Sequence, residues 1–380
     1  MAGNYNLGRE SQVYICNQNA WGTLVWPVAG DAIKHMKCSM QRKETRKLRA
    51  DVSNTRSRQP TIIGKHNASC SLNGYIIPSG SVGVVPNTGK ILKAAFGVET
   101  VNPGVSVVYS LARDLETLQN GLSIHQFGSF MHEAVRDAIV QGLTIKLSGA
   151  GEGEFDASFD AAEEVLTGSS TLQNNAAGGA NSVTVAAGDG VNYSVGSVVD
   201  IGTSTGHTIT AIAGDALSIT PNLVGNQNAG VAVIPNRPGA TTVGAPISGI
   251  IGQFQIDAVT ISIISAQVKL ANKSKMRDNE YGTAAATGFS TPVPREITFD
   301  LELYLRKDYL KFYGHARQLV QKALTLTSGG VAGNRLVLSL PKVEFEIPPI
   351  DISGADEAVI KISGSALPTT VEDEITATFN

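Results

Sequence analysis

"LTIKLSGAGEGEFDASF", residues 143–159, and "AVIKISGSALPTTVEDEITATF", residues 358–379, say nearly the same thing twice. Each carries an apolar-Lys-apolar-Ser-Gly core, a short variable stretch, and an alternating run that closes on Phe159 or Phe379. Alternation with a period of two marks a strand with one buried face. Its return after 215–220 residues reads as the duplication of one β-rich unit.

The surrounding sequence extends the pattern. In "REITFDLELYL", Ile297, Phe299, Leu301, Leu303 and Leu305 oppose Thr298, Asp300, Glu302 and Tyr304, as in a half-buried strand. "DYLKFYGHARQLVQKALTL" spaces Tyr309, Phe312, Tyr313, Ala316, Leu319, Val320 and Ala323 as one amphipathic helix, with Asp308 as its N-cap. "LVLSLPKVEFEIP" alternates again. The first half runs in the same order: a strand over "TIIGKHNASCSLNGYIIP", a short helix over "NTGKILKAAFG" between Thr88 and Gly97, then strands over "GLSIHQFGSF" and "LTIKLSG". In this register Leu122 and Leu336 begin corresponding strands.

Between the halves the composition changes. No Lys or Arg occurs from Leu166 to Asn236, where short Val/Ile runs alternate with Gly, Asp and Asn turns. That stretch reads as an inserted β-module between linkers. The expected fold is therefore mainly β, an α+β sandwich or half-barrel in tandem with flanking helices. The expected division is an N-terminal segment 1–30, copy one 31–165, the module 166–246 and copy two 247–380.

With 380 residues and a net charge of −3, the chain gives no overall reason to bind nucleic acid or membrane. The start "MAGNYNLGRESQ" lacks the apolar region of a secretory signal, and no run is long enough to span a bilayer. Cys16, Cys38 and Cys70 suit reduced thiols in a cytosol. Catalytic patterns do not emerge. "GVVPNTGKI" has five residues between its glycines where a phosphate loop has four, and Ile91 where Ser or Thr should hold magnesium. The histidines lack metal-ligand spacing, and His125 and His132, of opposite parity on a strand, should face apart. Glu152, Glu154 and Asp156 read as a solvated acidic face. The expectation is a protein that is not an enzyme, with no cofactor and no metal.

Charge is nevertheless segregated. "KHMKCSMQRKETRKLRAD", 34–51, gathers seven Lys and Arg residues against Glu44 and Asp51. Without interleaved aromatics it is a poor nucleic-acid platform. It reads better as a basic arm of Arg42, Lys43, Arg46, Lys47 and Arg49 for an acidic neighbour. Glu344, Glu346, Asp351, Asp356, Glu357, Glu372, Asp373 and Glu374 supply that acidity, so copies could associate head to tail.

A charged hairpin region before "TIIGKHNASCSLNGYIIP", the "KILKAAFG" helix, "ETLQNGLSIHQF", "PREITFDLELYLRKDYLKFYGHARQLVQKAL" and the ending "ALPTTVEDEITATFN" together resemble the major tail tube proteins of long-tailed bacteriophages. The resemblance covers residues 10–165 and 247–380 and rests on element order. The central module departs from the simplest members and is similar to decorating domains of virion proteins. The resemblance implies a structural virion protein, assembled in the host cytoplasm, that forms stacked rings around a conduit for double-stranded DNA. Implied partners are itself, a tape measure protein, a tail terminator and baseplate proteins, with no membrane insertion by this chain. A duplicated chain implies homotrimeric rings of six sectors, the alternative being a homohexamer. Four strands per sector give 24 strands. At ~4.8 Å spacing and ~40° tilt these make a backbone diameter of roughly 48 Å. Asp300, Glu302, Glu344 and Glu346 are the candidate lumen-facing residues, because a dense basic wall would hold DNA phosphates. Competing readings are another self-assembling tube or baseplate component, and a β-rich carbohydrate-binding or adhesin protein. The adhesin reading lacks an aromatic sugar platform in the module, since Trp21 and Trp26 lie outside it.

Overall fold

The structure is a computed structural model that describes residues 8–49, 60–118, 120–240, 244–349 and 357–380. The first half contains β1 (Gln12–Asn17), β2 (Ala32–Ile33), β3 (Lys37–Lys47), β4 (Ile62–Tyr75), α1 (Gly89–Phe96), β5 (Gly97–Asn102) and β6 (Ser106–Leu111). It continues with α2 (Leu115–Leu118), β7 (Leu122–Phe127), β8 (His132–Ser148), β9 (Glu154–Ala161) and β10 (Glu163–Thr167). The middle contains β11 (Ser170–Thr171), β12 (Ser182–Thr184), β13 (Val198–Ile201), β14 (Ser204–Ala213), β15 (Ala216–Thr220) and β16 (Ala232–Pro235). The second half contains β17 (Gln253–Ile256), β18 (Val259–Ile261), β19 (Ser265–Ala271), β20 (Lys275–Met276), β21 (Phe289–Ser290) and β22 (Glu296–Tyr304). It closes with α3 (Leu310–Arg317), β23 (Lys322–Ser328), β24 (Leu336–Phe345), β25 (Val359–Ala366) and β26 (Thr376–Phe379).

The pairings of one half recur in the other. β1–β2, β1–β7, β7–β8, β8–β10, β8–β9, β9–β4 and β4–β3 are all antiparallel. Their counterparts are β17–β18, β17–β23, β23–β24, β24–β26, β24–β25, β25–β22 and β22–β19. In each half the longest hairpin strand switches sheets. The N-terminal part of β8 pairs with β7 and β10 up to Ala138, and from Ile139 on, across a register shift at Val140/Gly142, it pairs with β9. β24 does the same, with its irregularity between Leu340 and Val343. Such bulges let one strand serve two packed layers.

This correspondence places the opening sequence echo differently. "IKLSG" ends β8, whereas "IKISG" lies in β25, the counterpart of β9. Likewise Leu122 begins β7 and Leu336 begins β24, the counterpart of β8. Any half-buried strand with Lys between apolar residues looks alike at a period of two, so the echo carried no register. β1, within the stretch 1–30, is the counterpart of β17 and belongs to the repeated set of pairings.

The two halves share one core. It joins Leu72, Phe155, Leu143, Val268, Phe299 and Ile362 with the buried faces of α1 and α3. α1 inserts Ile91, Leu92 and Phe96, and Gly97 ends it at φ 104°, a conformation that favours glycine. Thr88 occupies the N-cap position, but its side chain makes no capping bond. α3 is shorter than its apolar spacing suggested. It is entered through a 3-10 turn, Lys307–Tyr309, with Tyr309 rather than Asp308 as N-cap, and it stops at Arg317. Leu319 takes φ 51°, and the chain turns into β23, paired on both sides by β17 and β24.

The middle strands form a separate six-stranded sheet, ordered β11-β16-β13-β14-β15-β12. Val185, Val199, Ile201, Ile209, Leu217 and Val233 are buried in its own core. The module touches the first half through Trp26 Nε1, which donates to Asn236 O at 3.2 Å, and through Thr167 Oγ1 and Ser197 Oγ at 2.6 Å.

Candidate functional site: a polar sheet and its two edges

The second layer of each half is a four-stranded sheet, and the two are hydrogen-bonded into one. β8 pairs with β19 from Gly142↔Ala271 to Ser148↔Ser265. The strand order is thus β3–β4–β9–β8–β19–β22–β25–β24. Strand alternation gives this sheet two chemically different faces. Leu72, Phe155, Leu143, Val268, Phe299 and Ile362 point to the core and are at most 3 % exposed. Ser71, Asp156, Lys146, Gln267, Asp300 and Ser363 point the other way. The polar face curves around a 570 Å³ concavity that spans the join, lined by β8, β9, β19, β22 and β25.

Asp300 and Glu302 line this concavity. Glu344 on β24 and Glu346 just beyond its end continue the same face, because Ser365 lies opposite Glu344, Glu346 N–H donates to Ser363 O, and Ser363 lies opposite Asp300. Glu344 accepts from Gln321 Nε2 at 2.8 Å, and Glu302 accepts from Ser265 Oγ at 3.2 Å. The face is mixed rather than acidic. Lys146 is ion-paired with Asp156, and Lys269 and Lys361 alternate with buried neighbours on β19 and β25. These lysines were readable from the same alternation that exposed the carboxylates. Glu154 and Asp156 share the face as expected, whereas Glu152 sits in an isolated bridge to Ser248.

The sheet has two unpaired outer strands among the described residues, β3 and the end of β24. β3 carries Arg42, Lys43, Arg46 and Lys47, and exposed Arg49 follows it. β4 pairs with β9 only from Ala68 to Tyr75, so β3 and β4 run on past the sheet as a two-stranded arm. Ala50 and Asp51 lie outside the described residues. The arm is partly self-neutralised. Glu44 is bonded by Arg46 Nε at 3.0 Å and by Arg42 Nη2 at 3.3 Å, and these guanidinium groups, Arg46 first, hold its carboxyl below the usual range. Leu48, Ile62 and Ile63 are more than half exposed beside these charges.

The acidic set proposed to receive the arm is not a single patch. Glu372 pairs with Arg295, and Asp373 accepts from the backbone N–H groups of Thr369 and Thr370. Glu357 is exposed, Glu374 buries one carboxyl oxygen, and Asp351 and Asp356 lie outside the described residues.

His125 and His132 do not face apart. They stand on adjacent strands of the β7–β8 hairpin, with Phe127 opposite His132 and Ala134 opposite His125. The diagonal brings His125 Nδ1 to 2.9 Å from His132 Nε2. Both rings are fully buried under Trp26 and Phe127. Burial lowers His125 to about 4, and burial and then His125 hold His132 well below the usual imidazole range. Parity failed because the intervening turn puts the two residues on different strands. A second pair, Ser204 Oγ and His207 Nε2 at 2.7 Å, resembles a nucleophile and its base. Both are sealed inside the module, and His207 Nδ1 meets Pro221 O at 2.7 Å, so this is a core hydrogen bond.

Among the described residues no group of three or more His, Cys, Asp or Glu could hold a metal ion. No described helix is long and apolar enough to cross a membrane. No protein-family model matches the chain, and no curated protein matches it.

Proposed function

We propose that this chain is the structural subunit of a phage-type tail tube, building rings that stack into a conduit for double-stranded DNA. The observation that carries the reading is the β8–β19 join. Within one chain, the end of the sheet-switching strand of one unit already pairs with the first strand of the next. The same two edges, the end of β24 and β3, stand open at the ends of the eight-stranded sheet. An open edge is a liability for a monomer and an interface for a ring. Repeating the internal join between chains is a heterologous contact, which closes into a ring when its rotation permits.

The registers support closure. The row through Ser39, Ser71, Ser158 and Gly142 reaches Ala271 on β19. The residue of β19 that corresponds to Ser39 is Gln267, because each is the third residue of its strand and each leads through its neighbour to the paired Ser158 or Ser363. The register therefore advances by four residues, Gln267 to Ala271, over four strands. At ~3.3 Å rise and ~4.8 Å spacing, that stagger sets the strands of a closed barrel at about 35° to its axis. Six such sectors give a backbone diameter of roughly 45 Å, and inward side chains leave about 35 Å, against about 20 Å for duplex DNA. The polar face, with Asp300, Glu302, Glu344 and Glu346, becomes the lumen wall. Its lysines are interspersed with carboxylates, so no basic stripe retards sliding.

In this reading three chains make one ring, the central module projects outward, and the β3–β4 arm reaches the next ring. The partners are further copies of the chain, a tape measure protein, and terminator and baseplate proteins at the ends, and the place is the virion tail. No catalytic role is assigned. The open edges equally favour a ring-forming baseplate or secretion component, which differs in not stacking into long tubes. Negative-stain electron microscopy of the purified chain tests the proposal. Rings or tubes with an open bore are expected, and a monodisperse monomer at all concentrations overturns it.

A further inference from the structure

The internal join identifies which residues meet across the open edges. Two pairs of equivalent hydrogen bonds align the halves. Met36 N–H donates to Asn73 O at 2.8 Å, and Ile264 N–H donates to Glu302 O at 2.7 Å. Ile76 N–H donates to Gly153 O, and Leu305 N–H donates to Ala358 O, each at 2.8 Å. With these fixed, Lys43 on β3 corresponds to Ala271 on β19, and Arg42 to Leu270. Ser158 and Ser363 correspond in turn. Gly142 lies opposite Ser158, and Glu346 N–H donates to Ser363 O at 2.9 Å, so Glu346 corresponds to Gly142 and Ile347 to Leu143.

Inside the chain Ala271 lies opposite Gly142, and Leu270 opposite Leu143. Resting on the ring reading, we infer that Lys43 of one chain lies opposite Glu346 of its neighbour, with Arg42 opposite Ile347, as the junction between copies. Three observations agree. Leu143, which is covered by β19, is 2 % exposed, whereas Ile347 at the matching position is 58 % exposed. Cys38 and Met40, which match the buried Ala266 and Val268, are only partly covered on the open edge. The small, uncharged Ala271–Gly142 pair is replaced at the open edge by two residues of opposite charge. The exchange has a backbone reason. Pro348 and Pro349 follow Ile347 and have no N–H to donate, so the ladder between chains is shorter than the one inside. A direct cross-strand ion pair supplies register where hydrogen bonds are lost.

The test uses the full chain. Lys43→Glu and Glu346→Lys, each alone, put like charges opposite one another. Each should raise the concentration needed for ring assembly by about fivefold per junction. The combined reversal should restore assembly. Both residues lie on an edge outside the core, so the variants should fold as the parent does by circular dichroism. As a second readout, Lys43→Cys with Glu346→Cys should give interchain disulfide-linked dimers and trimers on mild oxidation, and neither single variant should. If parent rings form but the double reversal does not restore assembly and the paired cysteines do not cross-link, this junction is wrong while the ring reading stands. If the parent stays monomeric, the ring reading falls and this inference with it.

Discussion

At the scale of single residues, buried histidines and one close-packed glycine make sharp predictions. His125 and His132 are neutral in the fold because burial opposes their charging, whereas in the unfolded chain they titrate near the usual value of about 6.5. Their contribution to stability is therefore complete above that value and is lost as pH falls toward about 4. Glu133 and Asp137 on β8 act in the opposite sense over part of this window, since burial pushes them up to about 7 and about 6. Comparing His132→Phe with the parent cancels those carboxyls. The stability of the variant relative to the parent, read from urea unfolding at each pH, should improve between pH 7.5 and pH 4.5. An equal gap at both pH values would mean that the pair is not held neutral. Gly364 sits on β25, where an added Cβ would lie 2.1 Å from Glu344 O and 2.6 Å from the Phe299 ring. Gly364→Ala should cost about 3 kcal/mol in urea unfolding, because β24 and β25 must part. Gly30→Ala, with nothing within 4 Å, should change stability by less than about 0.5 kcal/mol and serves as its control. Equal effects would mean that the β24–β25 pairing is not held as closely as described.

At the scale of elements, what was legible followed from how many constraints each sequence pattern satisfied. The alternation of "REITFDLELYL" returned β22 because its two faces differ in chemistry along the whole length. "QLVQKALTL" satisfied both a helical and an alternating pattern, and only partners distant in sequence, β17 and β24, select the strand. The halves were recognisable as related, but their register was not, because strand periodicity repeats every two residues. The polar faces of the candidate site were readable strand by strand, whereas their union into one sheet through β8–β19 has no local signal. The break in Lys and Arg content marked the module, which keeps a core of its own. Replacing residues 170–242 by a short flexible linker should leave the chain folded and able to form rings with an unchanged bore. A folded truncation that forms no ring in the electron microscope would make the module part of the wall. On the arm, Arg46, Lys47 and Arg49 lie further out than Arg42, which is opposite the last sheet-paired residue of β4, and its neighbour Lys43. Reversing those three together should leave rings intact and shorten or abolish tubes. One exposed ion pair is worth only about 0–1 kcal/mol, so the combined change is needed. Tubes of parental length would remove the arm from stacking.

At the scale of the whole molecule, the proposed ring reuses between chains a contact that is built into each chain. In the proposed ring the repeat makes every second junction covalently guaranteed and leaves the others to β3 and the end of β24. It also lets the two units diverge. The first carries the two-stranded arm and the β5–β6 hairpin, which pairs with β26 of the second, while the second fills the place of the arm with residues 272–295, a segment of similar length that carries the two-residue strands β20 and β21. That segment lies back on the first half, where Phe289 stacks on Trp21. Divergent sectors predict a ring with threefold rather than sixfold symmetry and two alternating kinds of junction. Cryo-electron microscopy of assembled particles measures this most directly. Three chains per ring and a continuous 24-stranded wall at about 35° tilt are expected, with β8–β19 and β24–β3 junctions alternating around it. Rings of six chains with one half of each lining the bore, or rings in which the β3 and β24 edges stay unpaired, would contradict this arrangement.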